Sequence, residues 1–141
     1  MLDIVYFSNF SNNTRRFVEN LEWQGSVYQI PVKGEFDKAL LHSYVLVCPS
    51  YGDSNNGHVP PQVRKFLSEK ENRLNCVGII SGGNITFGED FAKAGDVLAA
   101  KLHVPLLYKF ELAGTQQDIE RVQVGLKNFG VAGCRSTDIA K

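Results

Sequence analysis

Five short runs rich in β-branched and aromatic residues alternate with segments of helical period along this chain, and that alternation leaves few folds open to it. The runs are Leu2-Asp3-Ile4-Val5-Tyr6-Phe7, Ser26 to Ile30, Tyr44-Val45-Leu46-Val47-Cys48, Cys76-Val77-Gly78-Ile79-Ile80 and Leu106 to Leu112. The first, third and fourth are nearly continuous in apolar character, as parallel strands covered on both faces are. Ser26 to Ile30 alternates like a half-covered strand, and Pro31 closes it. Between the runs, four sets recur at helical spacing: Thr14, Phe17, Val18 and Leu21; Val63, Phe66 and Leu67; Phe91, Ala94, Val97, Leu98 and Leu102; Ile119, Val122 and Leu126. Pro60 and Pro61 suit a first helical turn, Thr115 can cap the last helix, and His103 to Pro105 ends the one before it. Glu35 to Leu41 reads as weakly helical or irregular. At 141 residues, this pattern predicts one α/β domain over 1–141, a three-layer sandwich whose five-stranded parallel sheet has the order 2-1-3-4-5.

In such a sheet, ligands bind outside the carboxyl ends of the strands, where strands 1 and 3 diverge. The loops after strands 1, 3 and 4 are the richest in Gly, Ser and Asn, so they are expected to meet at one crevice. The first is Ser8-Asn9-Phe10-Ser11-Asn12-Asn13-Thr14, with Asn12, Asn13 or Thr14 as N-cap of the following helix. Free backbone N–H groups and the positive end of the helix dipole converge there, and Ser8, Ser11, Asn13 and Thr14 add short donors. The alternative is a polar loop with an ordinary cap. Neither G-x-G-x-x-G nor G-x-x-x-x-G-K-[ST] is present, and no lysine sits in the septet. Arg15 and Arg16 follow it, as anion partners or as a solvated face. Hydroxyls, amides and backbone without a metal suit a small monophosphate cofactor. In the second loop, Pro49-Ser50-Tyr51-Gly52, the Tyr51 ring can stack on a flat heterocycle, and Gly52 and Gly57 permit close backbone approach. In the third, Gly82, Gly83 and Gly88 do the same, Asn84 supplies an amide and Phe87 an apolar wall. Phosphate cradle, ring platform and backbone donors together describe flavin mononucleotide (FMN).

Composition removes other classes. Lys plus Arg equals Asp plus Glu at 15 each, so there is no electrostatic footprint for nucleic acid or an anionic membrane. No apolar stretch approaches the ~20 residues of a membrane span, and no leader pattern precedes the first strand, which predicts a cytoplasmic protein. Cys48, Cys76 and Cys134 show no C-x-x-C spacing, and His42, His58 and His103 no metal-ligand spacing. Cys48 and Cys76 read as packing residues, and the histidines as surface or helix-end residues. Cys134 and the tail Val131 to Lys141 carry no reading.

Several linked motifs in order give a more specific signal. They are Val5-Tyr6-Phe7-Ser8 with Ser11, Asn13, Thr14 and Phe17; Pro49-Ser50-Tyr51-Gly52; Val59-Pro60 with Gln62-Val63 and Phe66-Leu67; and Gly78, Ser81-Gly82 and Asn84. They continue in Phe87-Gly88-Glu89, Ala94-Gly95-Asp96, Val104-Pro105, Tyr108 to Leu112, and Gly114-Thr115-Gln116 with Asp118-Ile119-Glu120. Through about Phe129 the chain resembles the flavodoxin superfamily, and within it the NrdI family that accompanies class Ib ribonucleotide reductase. The resemblance implies a flavodoxin-like fold and bound FMN. The first loop would hold the phosphate, Tyr51 and its neighbours would lie beside the isoalloxazine, and the Gly82 to Gly88 loop would face the pyrimidine. It also implies partners: the dimanganese radical subunit of the reductase, a reductase or redoxin as electron donor, and oxygen. Reduced flavin would deliver a superoxide-like oxidant for assembly of the tyrosyl radical cofactor, so the chemistry belongs to the flavin. Gly52 is a candidate for a peptide that turns a carbonyl toward flavin N5 when N5 gains a proton, since glycine lowers the cost of that turn.

The chain departs from the family pattern in two places. Asp53-Ser54-Asn55-Asn56 stand where relatives often have consecutive glycines, and Asn12 replaces the glycine of the common phosphate loop. Asn tolerates the left-handed backbone better than most residues. Two other functions share the topology. A generic flavodoxin shuttle is usually strongly acidic, and this chain is neutral. A phosphoacceptor receiver domain needs an aspartate where Pro49-Ser50 stands and an acidic pair where Ser8-Asn9 stands.

Overall fold

The structure, a computed structural model, describes residues 2–38, 40, 42–51, 58–84 and 91–140, with side chains through 129. The strands are β1 (Asp3–Tyr6), β2 (Val27–Gln29), β3 (Tyr44–Pro49), β4 (Cys76–Gly83) and β5 (Leu106–Glu111). The helices are α1 (Asn13–Asn20), α2 (Pro61–Phe66), α3 (Lys70–Asn75), α4 (Lys93–Leu102) and α5 (Gln116–Ala140). All four strand pairings are parallel, in the order β2-β1-β3-β4-β5 that the alternation predicts.

Side chains of each central strand alternate between two cores. Val5, Phe7, Leu46, Cys48 and Ile79 face α2 and α4, meeting Val63, Phe66, Ala94 and Leu98. Ile4, Tyr6, Val45, Val47 and Ile80 face α1 and α5, meeting Phe17, Val18, Leu21, Ile119, Val122 and Leu126. Helices therefore cover both faces. On the α1/α5 side, the Phe17 and Phe110 rings stack with centroids 3.8 Å apart and planes within 2°. Two glycines leave room for this pair. A Cβ on Gly82 would stand 2.7 Å from Phe110 Cζ, and one on Gly114, whose φ of +79° is itself left-handed, 2.7 Å from Phe17 Cδ1. Such a stack contributes ~0.5–1.5 kcal/mol beyond the burial of its two rings.

Three features depart from the expected elements. β4 runs on through Ser81-Gly82-Gly83, because Pro49 pairs with Gly82 on one side and Glu111 with Gly83 on the other. The helix α3 has no counterpart in the periodicity, since none of its residues is buried. It is tied down by polar side chains: Asn72 Nδ2 donates to the Phe66 carbonyl (2.8 Å), and Arg73 Nη1 to those of Leu67 (2.7 Å) and Ser68 (2.9 Å). α5 continues to Ala140, through the tail from Val131 that carries no sequence motif. Glu35 to Lys38 are irregular. Thr115 and Asp118 form a reciprocal cap: Asp118 N donates to Thr115 Oγ1 (3.1 Å) and Thr115 N to Asp118 Oδ2 (2.8 Å).

The cysteines and histidines mostly follow expectation. Cys48 and Cys76 are buried, and burial pushes their thiols up to about 12 and about 11, so they stay protonated packing groups. His103 ends α4 in the left-handed conformation, and His42 lies exposed, 3.6 Å from Asp3. His58 is neither a surface nor a helix-end residue. It is buried, with its ring turned back onto the chain. Cys134 lies outside the described side chains. Among the described residues, no helix is long and apolar enough to cross a membrane.

Candidate functional site

The carboxyl ends of β1, β3 and β4 open onto a crevice of about 170 Å³. Asn9, Ser11, Asn13 and Thr14 line it from the first loop, Pro49 and Ser50 from the second, and Gly82, Gly83 and Asn84 from the third. Its volume has room for about five water-sized groups at ~30 Å³ each, which suits a phosphate and the atoms next to it. A larger hollow of about 410 Å³ lies between the segment after β2 and α2, spanned by a 2.8 Å Lys65–Glu35 ion pair. None of the described residues of the three loops lines it.

Inside the first loop, most polar groups are already committed. Asn12 is the N-cap of α1 by its backbone, at φ 59°, the left-handed conformation that its resemblance to a phosphate-loop glycine requires. Its side chain makes no cap bond. Asn9 Oδ1 accepts from Ser11 N (3.1 Å) and Ser11 Oγ (2.7 Å), and Ser11 Oγ accepts from Asn13 N (3.3 Å). Ser8 Oγ accepts from Arg15 N (3.1 Å) and lies buried beneath the loop rather than along the crevice. These bonds stiffen the turn and satisfy two of the first helical amides. The Thr14 N–H and hydroxyl have no partner among the described residues, so the anion-binding capacity of the helix end concentrates there. Arg16 reaches back to Asn13 Oδ1 (2.5 Å) and the Ser11 carbonyl (3.4 Å), which brings a positive charge to this end. Arg15 instead forms an exposed pair with Glu19. Phe10 is 99% exposed.

In the second loop the Ser50 hydroxyl is bonded inside the protein. Ser50 Oγ accepts from Ala94 N (2.9 Å), and Ser81 Oγ accepts from Gly95 N (3.1 Å) while donating to the Ala92 carbonyl (3.1 Å). With the Ser81 proton engaged, Ser50 must be the donor in the 3.3 Å contact between the two hydroxyls. Both serines therefore hold the amino end of α4, and the Ser50 hydroxyl has no proton left for a ligand. The Tyr51 ring is partly buried against the core on the α2/α4 face and is not among the residues that line this crevice. Burial raises its phenol pKa, and a hydrogen bond from the Asn9 side chain works against that rise.

In the third loop, Gly82 and Gly83 serve the fold as well as the crevice. A Cβ on Gly83 would lie 2.7 Å from the Ala92 backbone nitrogen. Gly52, Phe87 and Gly88 lie outside the described residues. One lining residue was not anticipated. Leu112 closes the crevice from the end of β5 in a left-handed conformation (φ 55°), its N–H donating to the Gly83 carbonyl at 3.0 Å. The rule that ligands sit at strand ends pointed to it, but Leu112 reads in sequence as one more strand residue.

Sequence comparison decides the family. Residues 5–124 match the family described as NrdI flavodoxin-like. The chain belongs to the NrdI family. It is 50% identical to Protein NrdI of Mycoplasma pneumoniae over 129 residues, covering 89% of this chain and 83% of that one. To Protein NrdI of Mycoplasma genitalium it is 48% identical over the same length and shares. Among solved structures, a Streptococcus pneumoniae TIGR4 flavodoxin superposes with a TM-score of 0.61, covering 94% of this chain and 99% of that chain, at 19% identity. That likeness concerns the fold alone. NrdI membership brings FMN as the cofactor, and the unpartnered Thr14 donors, the side-chain-free Gly82 and Gly83 and the nearby Arg16 fit its phosphate end.

Proposed function

We propose that this protein supports class Ib ribonucleotide reductase as an FMN-binding redox partner that supplies oxidant for its dimanganese-tyrosyl radical cofactor. The observation that carries the reading is the convergence of three strand-end loops, all within the matched residues 5–124, on one crevice lined by Thr14, whose N–H and hydroxyl have no partner among the described residues. When bound and reduced, FMN would supply the electron that turns oxygen into a superoxide-like oxidant.

The chain's own residues bind and orient. The Thr14 N–H and hydroxyl, with the end of the α1 dipole, would hold the phosphate, and Arg16 would add charge from outside the loop. Asn9, Ser11 and Asn13 act on the ligand through the loop shape that their mutual bonds fix. Gly82 and Gly83 let backbone approach the cofactor, and Asn84 offers a neutral side chain there. Pro49 and Leu112 line the crevice from the ends of the strands on either side of β4.

Reconstitution tests the reading. The reduced protein, oxygen and a manganese-loaded class Ib radical subunit are mixed, and the tyrosyl radical is read by electron paramagnetic resonance. A radical yield well above that with a generic flavodoxin supports the proposal, whereas equal yields favour a simple electron shuttle. A purified protein that is colourless and rejects added FMN would remove the flavin reading altogether.

A further inference from the structure

The turn that follows β5 holds a residue that its backbone disfavours. The Gly114 N–H donates to the Glu111 carbonyl at 2.8 Å, which makes Leu112 and Ala113 the central residues of a four-residue turn. Of the two, only Leu112 has a positive φ, 55°, and turns of that hand favour Gly, Asn or Asp at this position. For a bulky side chain such a φ is an outlier. The side chain does little for the fold, being 52% exposed and part of neither core. Strain of this kind persists where the surroundings hold it, and it clusters at ligand sites. Here the Leu112 N–H is held by the Gly83 carbonyl at 3.0 Å, and Gly114 lies so close to Phe17 that a Cβ would stand 2.7 Å from Phe17 Cδ1. Phe17 lies about one helical turn beyond Thr14, so the strained turn is packed against the amino end of α1. Leu112 and Thr14 accordingly line the same crevice.

We infer that Leu112 is a ligand-contact residue that selects an organic phosphate monoester over free phosphate: its side chain packs on the organic part of the ligand while Thr14 holds the phosphate. This rests on the FMN reading of the crevice. Apart from Pro49, every other described residue that lines the crevice is polar or a glycine. Donors at a helix end hold any small anion, inorganic phosphate included, because they meet only its oxygens. An apolar side chain among them gains nothing from free phosphate, which has no carbon to cover it. A monoester does cover it. Taking a half-exposed leucine out of water strengthens binding by about tenfold, and the gain falls to the ester alone.

Two variants separate contact from structure. Leu112→Gly removes the side chain and the backbone strain together, whereas Leu112→Ala removes the side chain and keeps the strain. FMN dissociation constants are read by fluorescence quenching in phosphate-free buffer, and the inhibition constant of inorganic phosphate by competition in the same titration. The expected result is FMN binding about tenfold weaker in both variants, with the phosphate constant within twofold of the parent. Thermal unfolding without FMN should give Leu112→Gly a Tm equal to the parent's or up to about 3 °C higher, because relief of strain offsets the greater freedom of its unfolded chain. FMN affinity within twofold of the parent, or equal weakening of FMN and phosphate, overturns the inference and leaves the FMN reading standing. So does phosphate that fails to compete even with the parent. A Leu112→Gly Tm lower by more than about 3 °C assigns the side chain to the fold and overturns it as well. A parent protein that binds no FMN removes the cofactor reading itself, and this inference with it.

Discussion

Replacing Ser50 by alanine separates what this residue does for the fold from what its place in the crevice suggests. The hydroxyl accepts from Ala94 N at 2.9 Å and donates to Ser81 Oγ, so its loss leaves one amide at the start of α4 without an acceptor. Ala94 and Ser81 are both fully buried. A buried donor left unsatisfied costs ~1–3 kcal/mol. For 141 residues, an unfolding entropy of ~2.1 cal/mol/K per residue converts this to a fall in Tm of about 3–10 °C. Thermal unfolding is to be followed on protein stripped of FMN, because a bound ligand stabilises by mass action and would mask the loss. Ser81→Ala and the double variant complete a cycle. The two hydroxyls share one chain of bonds, so the double variant should lose less than the sum of the singles. FMN affinity of Ser50→Ala should change by less than about threefold, since its proton is engaged inside the protein. A stripped Ser50→Ala protein as stable as the parent, or one of unchanged Tm with FMN affinity lost, would refute the reasoning.

Thr14→Val keeps the shape of a side chain whose hydroxyl has no internal partner, so Tm without FMN should hold or rise slightly. Titration should show FMN binding about tenfold weaker or worse, the worth of a hydrogen bond to a charged phosphate. In Gly95→Ala, the new Cβ would stand 2.5 Å from Ser81 Cβ and 2.8 Å from Leu106 Cδ1. Urea unfolding should show a loss of ~1–3 kcal/mol with an unchanged m-value. Burial pushes the Asp118 carboxyl up, but the Tyr108 hydroxyl (2.6 Å), Thr115 and Arg121 more than offset this and hold it below 3.8. Its contribution is therefore present above the unfolded value and lost as pH falls through the lower folded one. Asp118→Asn should flatten the fall in urea midpoint below about pH 4, by ~0.5 kcal/mol or less given its exposure; an unchanged slope would count against the pairing.

What the sequence disclosed depended on how local the cause was. The strands of the central sheet were legible because burial on both faces writes an apolar run, and Asn12 because a left-handed cap restricts residue type within one turn. α3 was not, because a helix with no buried face leaves no period in Lys70 to Asn75. The far end of β4 was not, because Ser81-Gly82-Gly83 looks like a loop until strands on either side pair with it. Loop composition located the crevice, but it could not reveal which of its polar groups are already engaged. Ser50 and the free donors of Thr14 differ through partners, and the Ser50 partner lies 44 residues away on α4. Tyr51 illustrates the same limit, since an aromatic in a ligand loop can face either the ligand or the core.

The stacked rings of Phe17 and Phe110 join the helix that carries the first loop to the strand beside the third, and Gly82 and Gly114 flank them with no atoms to spare. These four positions form one combinatorial unit. Screens that vary residue 82 alone to reshape the crevice will mostly recover destabilised protein, whereas libraries that enlarge 82 together with a smaller residue at 110 keep the volume constant, and residue 114 stays glycine because of its φ of +79°. Among natural relatives, bulk should migrate between residues 82 and 110 rather than accumulate, leaving the crevice above them the same shape while its floor is rebuilt.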